Sequence, residues 1–242
     1  MTSMRRRFFV DNFQADRAVL PADRIHHLGR VLRAEPGQLY ELSDGEHVWL
    51  GRIESVERDR IEFALVEELP VKASALTLTL LLAVVKFDRF EWALEKATEL
   101  GVSIIVPLAA ARTEKALLKA APKRAGRWQK ILLESSQQSR RVRVPVIEPL
   151  ARPETALTGR REALRLLLSE RAGAPSLRSV LMGSESQGAV FAVGPEGGWT
   201  EEEFVVAQKS GFREVSLGGL ILRTETAVAA GLAALNYALG EA

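Results

Sequence analysis

The chain has 242 residues, 47% of them hydrophobic, with 33 Lys and Arg against 31 Asp and Glu, enough for one large domain or two modest ones with a proper core. The absence of cysteine excludes disulfides and a cysteine metal site, and three histidines argue against structural zinc. No apolar run reaches the ~18 residues of a membrane helix and the apolar part of residues 4–10 is too short for a signal peptide, so the chain is expected in the cytoplasm, away from membranes.

In chain order, residues 7–10 read as a short strand. Pro21 opens a helix, as proline does at a first helical position, running to about Arg33. Ile25, Leu28 and Leu32 share one face of it by helical spacing, leaving Arg24, Arg30 and Arg33 elsewhere. Pro36-Gly37 and Asp44-Gly45 are turn signals. Between and after them residues 38–43, 48–54 and 60–66 read as strands, and short strands with tight turns suggest a small barrel. Pro70-Val71-Lys72-Ala73-Ser74 is the expected linker, giving domains at 1–70 and 75–242. Residues 76–85 are almost continuously apolar and fit a central parallel strand covered on both faces. Residues 88–100 read as a helix with Phe90, Ala93, Leu94, Ala97 and Leu100 inward, ended by Gly101. A strand at 103–107 follows, then a long helix from Pro122 with Trp128, Ile131 and Leu132 inward, then strands at 142–147 and 162–168. Strands alternating with helices mean a parallel α/β sheet.

The most informative stretch runs from Val193 to Ala227. Ala189-Val190-Phe191-Ala192-Val193 reads as a buried strand. It enters the turn Gly194-Pro195-Glu196-Gly197-Gly198, and Thr200 with Glu203 forms a capping box that starts a helix. The layout then repeats: Val215 and Leu217 end a strand, Gly218-Gly219 turns, and a helix rich in small residues runs from about Thr224 to Leu239. The pattern is neither G-x-G-x-x-G nor a Walker A loop. An ordinary strand-to-helix loop accounts for one such turn; two in sequence, the second carrying Arg223-Thr224-Glu225-Thr226, point to a ligand site. Charge is clustered as well: residues 112–143 hold ten basic residues against Glu114 and Glu134, and residues 1–33 hold seven against three. Such clusters suit phosphate contacts.

Gly194-Pro195-Glu196-Gly197-Gly198 followed by Leu217-Gly218 and Ile221-Leu222-Arg223-Thr224-Glu225-Thr226-Ala227 resembles the SPOUT methyltransferases. More narrowly, it resembles the bacterial family that methylates N3 of a uridine in small-subunit ribosomal RNA. Supporting matches lie at Ile25-His26-His27-Leu28-Gly29-Arg30-Val31-Leu32-Arg33, at Glu95-Lys96-Ala97-Thr98-Glu99-Leu100-Gly101-Val102 and at Gln138-Ser139-Arg140-Arg141. The resemblance implies an α/β fold: a C-terminal SPOUT domain with a deep trefoil knot, plus a small N-terminal PUA-like RNA-binding β-barrel. It implies S-adenosylmethionine as methyl donor, no metal, and 16S rRNA of the small ribosomal subunit as substrate. It also implies a homodimer, with the last helix in an interface beside the donor site.

On this resemblance the donor-binding residues are Leu168, Ser169, Gly194, Pro195, Glu196, Gly197, Gly198, Leu217, Gly218, Leu220, Leu222, Thr226 and Ala227. Arg223 is the candidate to stabilise negative charge on the uridine oxygens. Glu196 and Glu225 are candidates to take the N3 proton, and each serves equally well as a cap of its turn. Trp199 has two readings, stacking on a base or packing in the core. RNA contacts are expected from Arg7, Arg24, Arg30, Arg33, Arg140 and Arg141, while His26 and His27 either touch RNA or simply pack. The family commonly carries glycine where this chain has Arg140, and Arg141 keeps its expected place. Ala227, Ala230, Gly231 and Ala234 form a small-residue stripe that suits a threaded helix or plain packing on a sheet equally. Val228, Leu232, Leu235 and Leu239 form a second stripe, a weak signal for a partner subunit. Two alternatives stay open: ribose 2′-O methylation and a non-catalytic RNA-binding assembly factor.

Overall fold

The computed structural model describes residues 6–21, 34–71 and 76–240. The chain divides into two units, Met1–Ala73 with Ser136–Val144, and Ser74–Ser135 with Pro145–Ala242.

The first unit holds β1 (Arg7–Phe9), β2 (Arg17–Pro21), β3 (Leu39–Ser43), β4 (Val48–Val56) and β5 (Arg60–Leu69). They form a half-barrel sheet in the order β1-β3-β4-β5-β2. β1 runs parallel to β3 and the other neighbours are antiparallel. Alternation sets the core: Phe8, Ala18, Leu20, Leu42, Ile53, Ile61 and Phe63 point inward together, with their strand neighbours on the opposite face. Two register shifts in the β4–β5 ladder add the twist that curls the sheet. The Asp44-Gly45 signal is realised as the β3–β4 turn, where Asp44 Oδ1 accepts from the N–H groups of Glu46 and His47, both at 2.8 Å.

Pro21 is not at a first helical position. It is the last residue of β2, opposite Arg60, and β2 is an edge strand, where a residue without N–H is tolerated. Two inward residues, Ala18 and Leu20, gave too short an alternation to mark this strand in the sequence. The helix expected up to Arg33, with His26 and His27, lies outside the described residues.

The second unit holds β6 (Thr77–Ala83), α1 (Phe87–Glu99), β7 (Val102–Leu108), α2 (Lys115–Ala120), a 3-10 turn (Ala121–Arg124) and the start of α3 (Ala125–Gln138). After the excursion into the first unit come β8 (Val146–Ile147), α4 (Pro153–Thr158), β9 (Leu164–Leu168), α5 (Leu177–Leu181), β10 (Gly188–Val193), α6 (Glu201–Lys209), β11 (Arg213–Val215) and α7 (Thr224–Leu239). The strands form one six-stranded sheet in the order β11-β9-β10-β6-β7-β8, parallel throughout. β6 and β10 are buried on both faces, which is why their sequences are apolar without alternation.

α1 buries Phe90, Ala93, Leu94 and Ala97. α7 buries Val228, Gly231, Leu232 and Leu235, and a Cβ at Gly231 would lie 2.4 Å from the Phe191 ring. The small-residue position is thus used for close packing of helix on strand, and most of the second stripe is covered within the chain. Asn236 Nδ2 donates to Leu100 O at 2.8 Å, fixing α7 to the end of α1. Two elements differ from the sequence reading. Pro122 sits in the 3-10 turn ahead of α3. The expected strand at 142–147 shrinks to Val146–Ile147, paired with Ile104–Ile105, because residues up to 144 belong to the first unit.

Candidate active site

Strand β10 delivers the first turn. A Cβ at Gly194 would lie 3.0 Å from the Trp199 indole, so any side chain there would press on the ring. Trp199 is 5% exposed and its Nε1 donates to Leu168 O at 2.9 Å, tying the end of β9 to the turn after β10. Of its two readings, the packed one is observed. Gly198 closes the turn with φ 69°, a conformation that favours glycine, and its N–H donates to Pro195 O at 2.8 Å.

The capping box then starts α6. Thr200 Oγ1 accepts from Glu203 N at 3.3 Å and Glu203 Oε2 accepts from Thr200 N at 2.8 Å. Glu203 is buried, and its other oxygen accepts from Ala111 N at 2.9 Å. The next residue, Arg112, donates from Nη1 to Gly197 O at 2.8 Å. Arg89 on α1 adds a second brace, 3.3 Å from Glu196 Oε1 and 3.8 Å from Glu225 Oε1.

Strand β11 delivers the second turn. Ser169 N donates to Val215 O at 2.9 Å, so the ends of β9 and β11 stay paired as the chain leaves the sheet. Gly218 takes φ 131°. Leu220 and Ile221 are 84% and 82% exposed. Arg223 is the N-cap residue of α7; its side chain is exposed and, among the described residues, has no carboxylate paired to it.

The chain ends after β9, β10 and β11 are neighbours at the C-terminal edge of a parallel sheet, where open α/β sheets take ligands. A cleft of about 510 Å³ opens there, the size of a small-molecule site. Leu168, Ser169, Gly194 to Gly198, Leu222, Arg223 and Ala227 line it. A cavity of about 80 Å³ adjoins it, lined by Leu217, Gly218 and Leu220 with Leu168, Ser169, Leu222 and Ala227 shared. Thr226 is exposed and lines neither, and Glu225 lines neither and pairs with Arg89. The sequence reading did not single out Arg112, Glu170, Arg171, Glu201 or Phe204, which also line the cleft. Arg171 stacks 3.6 Å over the Phe204 ring and pairs with Glu201, and that hydrogen-bonded pair raises the arginine's affinity for its proton. Arg112 stood out only as one member of a basic cluster. Its partner carbonyl is 85 residues away, beyond any local pattern.

Arg7, Arg140 and Arg141 belong to the first unit. Arg140 takes φ 57°, in the left-handed region that favours glycine. Its Nε lies 3.2 Å from Glu41 Oε2 and its Nη2 meets Glu41 Oε1. Arg7 reaches the same carboxylate, with Nε at 3.1 Å and Nη2 at 2.8 Å from Oε2, and its Nη1 donates to Arg140 O at 2.7 Å. Burial, with Arg140 close by, brings Arg7 down to about 10, still cationic at neutral pH. Arg141 N donates to Ser136 O at 3.0 Å and its Nε to Arg143 O at 3.1 Å; burial lowers its pKa. Arg24, Arg30 and Arg33 lie outside the described residues.

A family model described as an RNA methyltransferase domain matches residues 72–236, and one described as an RNA methyltransferase PUA domain matches residues 20–66. The chain is 35% identical over 236 residues to the ribosomal RNA small subunit methyltransferase E of Synechocystis sp., covering 91% of this chain and 73% of that protein. Among solved structures it is similar to a ribosomal RNA small subunit methyltransferase E from Neisseria gonorrhoeae bound to S-adenosyl methionine, with 34% identity, TM-score 0.87 and 98% of each chain covered. A putative methyltransferase from Legionella pneumophila in complex with the same compound matches with 28% identity, TM-score 0.88, and 98% and 99% of the two chains covered.

Proposed function

Because the chain belongs to the RNA methyltransferase family of the ribosomal RNA small subunit methyltransferases E, we propose that it methylates N3 of a uridine in 16S rRNA with S-adenosylmethionine as donor. The observation that carries this reading is the cleft at the ends of β9, β10 and β11, walled by the turn at Gly194–Gly198, bordered by Arg223 and adjoined by the cavity that the second glycine turn lines. Its walls fit the donor. Backbone N–H and C=O groups of the turns would read an adenine edge, Leu222 and Ala227 would give it apolar contact, and the missing Cβ of Gly194 leaves Trp199 room beneath the turn.

When bound, the donor supplies a methyl group already activated on a sulfonium, so the task left to the chain is positioning. Arg223 stabilises the negative charge that spreads onto the uridine oxygens as N3 loses its proton. Glu196, which lines the cleft, takes that proton. Glu225, paired with Arg89, contributes by holding the start of α7 in place. The basic residues Arg7, Arg24, Arg30, Arg33, Arg140 and Arg141 serve the RNA, and the substrate is sought in the cytoplasm as 16S rRNA, free or in the small ribosomal subunit.

Nucleoside mass spectrometry of rRNA incubated with the protein and donor tests the reading. N3-methyluridine is the expected product. A ribose-methylated nucleoside or no product would replace the reading with one of its two alternatives, neither of which any observation favours.

A homodimer and the knotted path of α7 complete the proposal. The exposed Leu220, Ile221 and, on α7, the 93% exposed Tyr237 support the dimer; the stripe of Val228, Leu232 and Leu235 does not, being buried within the chain. Sedimentation equilibrium giving a single 26.6 kDa species would sink the dimer.

A further inference from the structure

Residues 41, 43 and 45 lie at alternate positions along β3 and the turn after it. All three are bound by one short stretch of chain, residues 140–143. Glu41 takes the guanidinium of Arg140, and Ser43 Oγ donates to Val142 O at 2.8 Å. Gly45 O accepts from Arg143 Nε. Glu41 and Ser43 are 3% and 0% exposed, so this polar face of the strand is covered by the returning stretch. A buried carboxylate left without partners is costly, and Glu41 is satisfied only while Arg7 and Arg140 both converge on it. Arg7 also donates to the Arg140 carbonyl at 2.7 Å, so a single arginine grips both the carboxylate and the backbone of the stretch.

We infer that Glu41 is a positioning residue that, through Arg7 and Arg140, latches the arginine-bearing stretch 140–143 to the half-barrel in the conformation in which it meets RNA. The inference rests on the rRNA reading above. It assigns Arg7 and Arg140 mainly to the latch, and among the four residues of the stretch it is the exposed side chain of Arg143, anchored by its Nε on Gly45 O, that is held where phosphate can reach it. At the φ of 57° that Arg140 takes, a residue with a side chain requires outside contacts to hold it, and Glu41 provides them.

Charge counting and the latch give opposite signs for one substitution. Glu41→Gln removes a negative charge beside two arginines, so simple phosphate attraction predicts tighter RNA binding. The latch predicts binding weaker by five- to tenfold. The test is fluorescence anisotropy with a 16S rRNA fragment over a salt series, with calorimetry against S-adenosylhomocysteine to show that the variant is folded. Equal or tighter RNA binding by Glu41→Gln overturns the latch alone. Should that variant not fold, Arg140→Gln decides, since it keeps a side chain at φ 57° and loses the ion pair with Glu41: the latch expects weaker binding with an unchanged salt slope, whereas unchanged binding, or a slope reduced by about one phosphate that makes Arg140 a direct contact, overturns it. Wild-type protein that fails to bind the fragment overturns the rRNA reading together with the latch.

Discussion

The two glycine turns of the cleft are built differently. The turn at Gly194–Gly198 is held on every side: Trp199 packs beneath Gly194, Arg112 grips the Gly197 carbonyl, Arg89 meets Glu196, and Glu203 fixes the segment that carries Arg112. The turn at Leu217–Leu222 is open. A Cβ at Gly218 or Gly219 would meet nothing within 4 Å, and Leu220 and Ile221 are largely exposed. One wall is therefore set by the fold before any ligand arrives. The other has few contacts of its own within the subunit.

Substitutions in the braced turn should hurt most. Gly194→Val drives a side chain into the Trp199 ring, and overpacking of this kind costs about 1–3 kcal/mol. Affinity for S-adenosylhomocysteine should fall up to about 100-fold, and the melting temperature by about 5 °C. Calorimetry and thermal scanning would show it, and unchanged affinity would mean that the braced turn is not a donor wall. Gly198→Val comes next: the backbone at φ 69° strains a branched residue by about 1–3 kcal/mol, and donor affinity should fall about tenfold.

Arg112→Ala keeps the backbone geometry and removes one brace. Its hydrogen bond is charge-assisted but exposed, so the expected loss in donor affinity is only about three- to fivefold. A loss as large as that of Gly194→Val would place Arg112 on the ligand itself. Leu220→Ser with Ile221→Ser should leave the subunit's own stability within about 0.5 kcal/mol, as surface changes do, yet shift the sedimentation profile toward monomer. An unaltered profile would remove the open turn from the proposed interface. The smallest effect is expected of Gly219→Ala, where no atom stands in the way and a Gly to Ala change mainly restricts the unfolded chain. Donor affinity should stay within about twofold, and a larger loss would show that the open turn is no freer than the braced one.

Local chemistry made much of this protein legible. The unbroken apolar runs of β6 and β10, the Thr200–Glu203 capping box and the limits of α7 each depend on residues close in sequence, and each was found from them. The two turns and the end of β9, named together on the family resemblance, lie side by side along the cleft and the cavity that adjoins it. Tertiary structure alone decided the rest. Residues 136–144 interrupt the second unit and belong to the first, and nothing local marks the partners of Glu41, which lie at Arg7 and Arg140. Arg89 and Arg112 likewise look like ordinary members of charged helices and clusters, and their roles come from Glu196 and Gly197, about a hundred positions along the chain. Periodicity and caps act over one or two turns of chain and leave a mark in the sequence. Ion pairs and hydrogen bonds across the fold have no period, so the sequence carried these residues without showing which would meet.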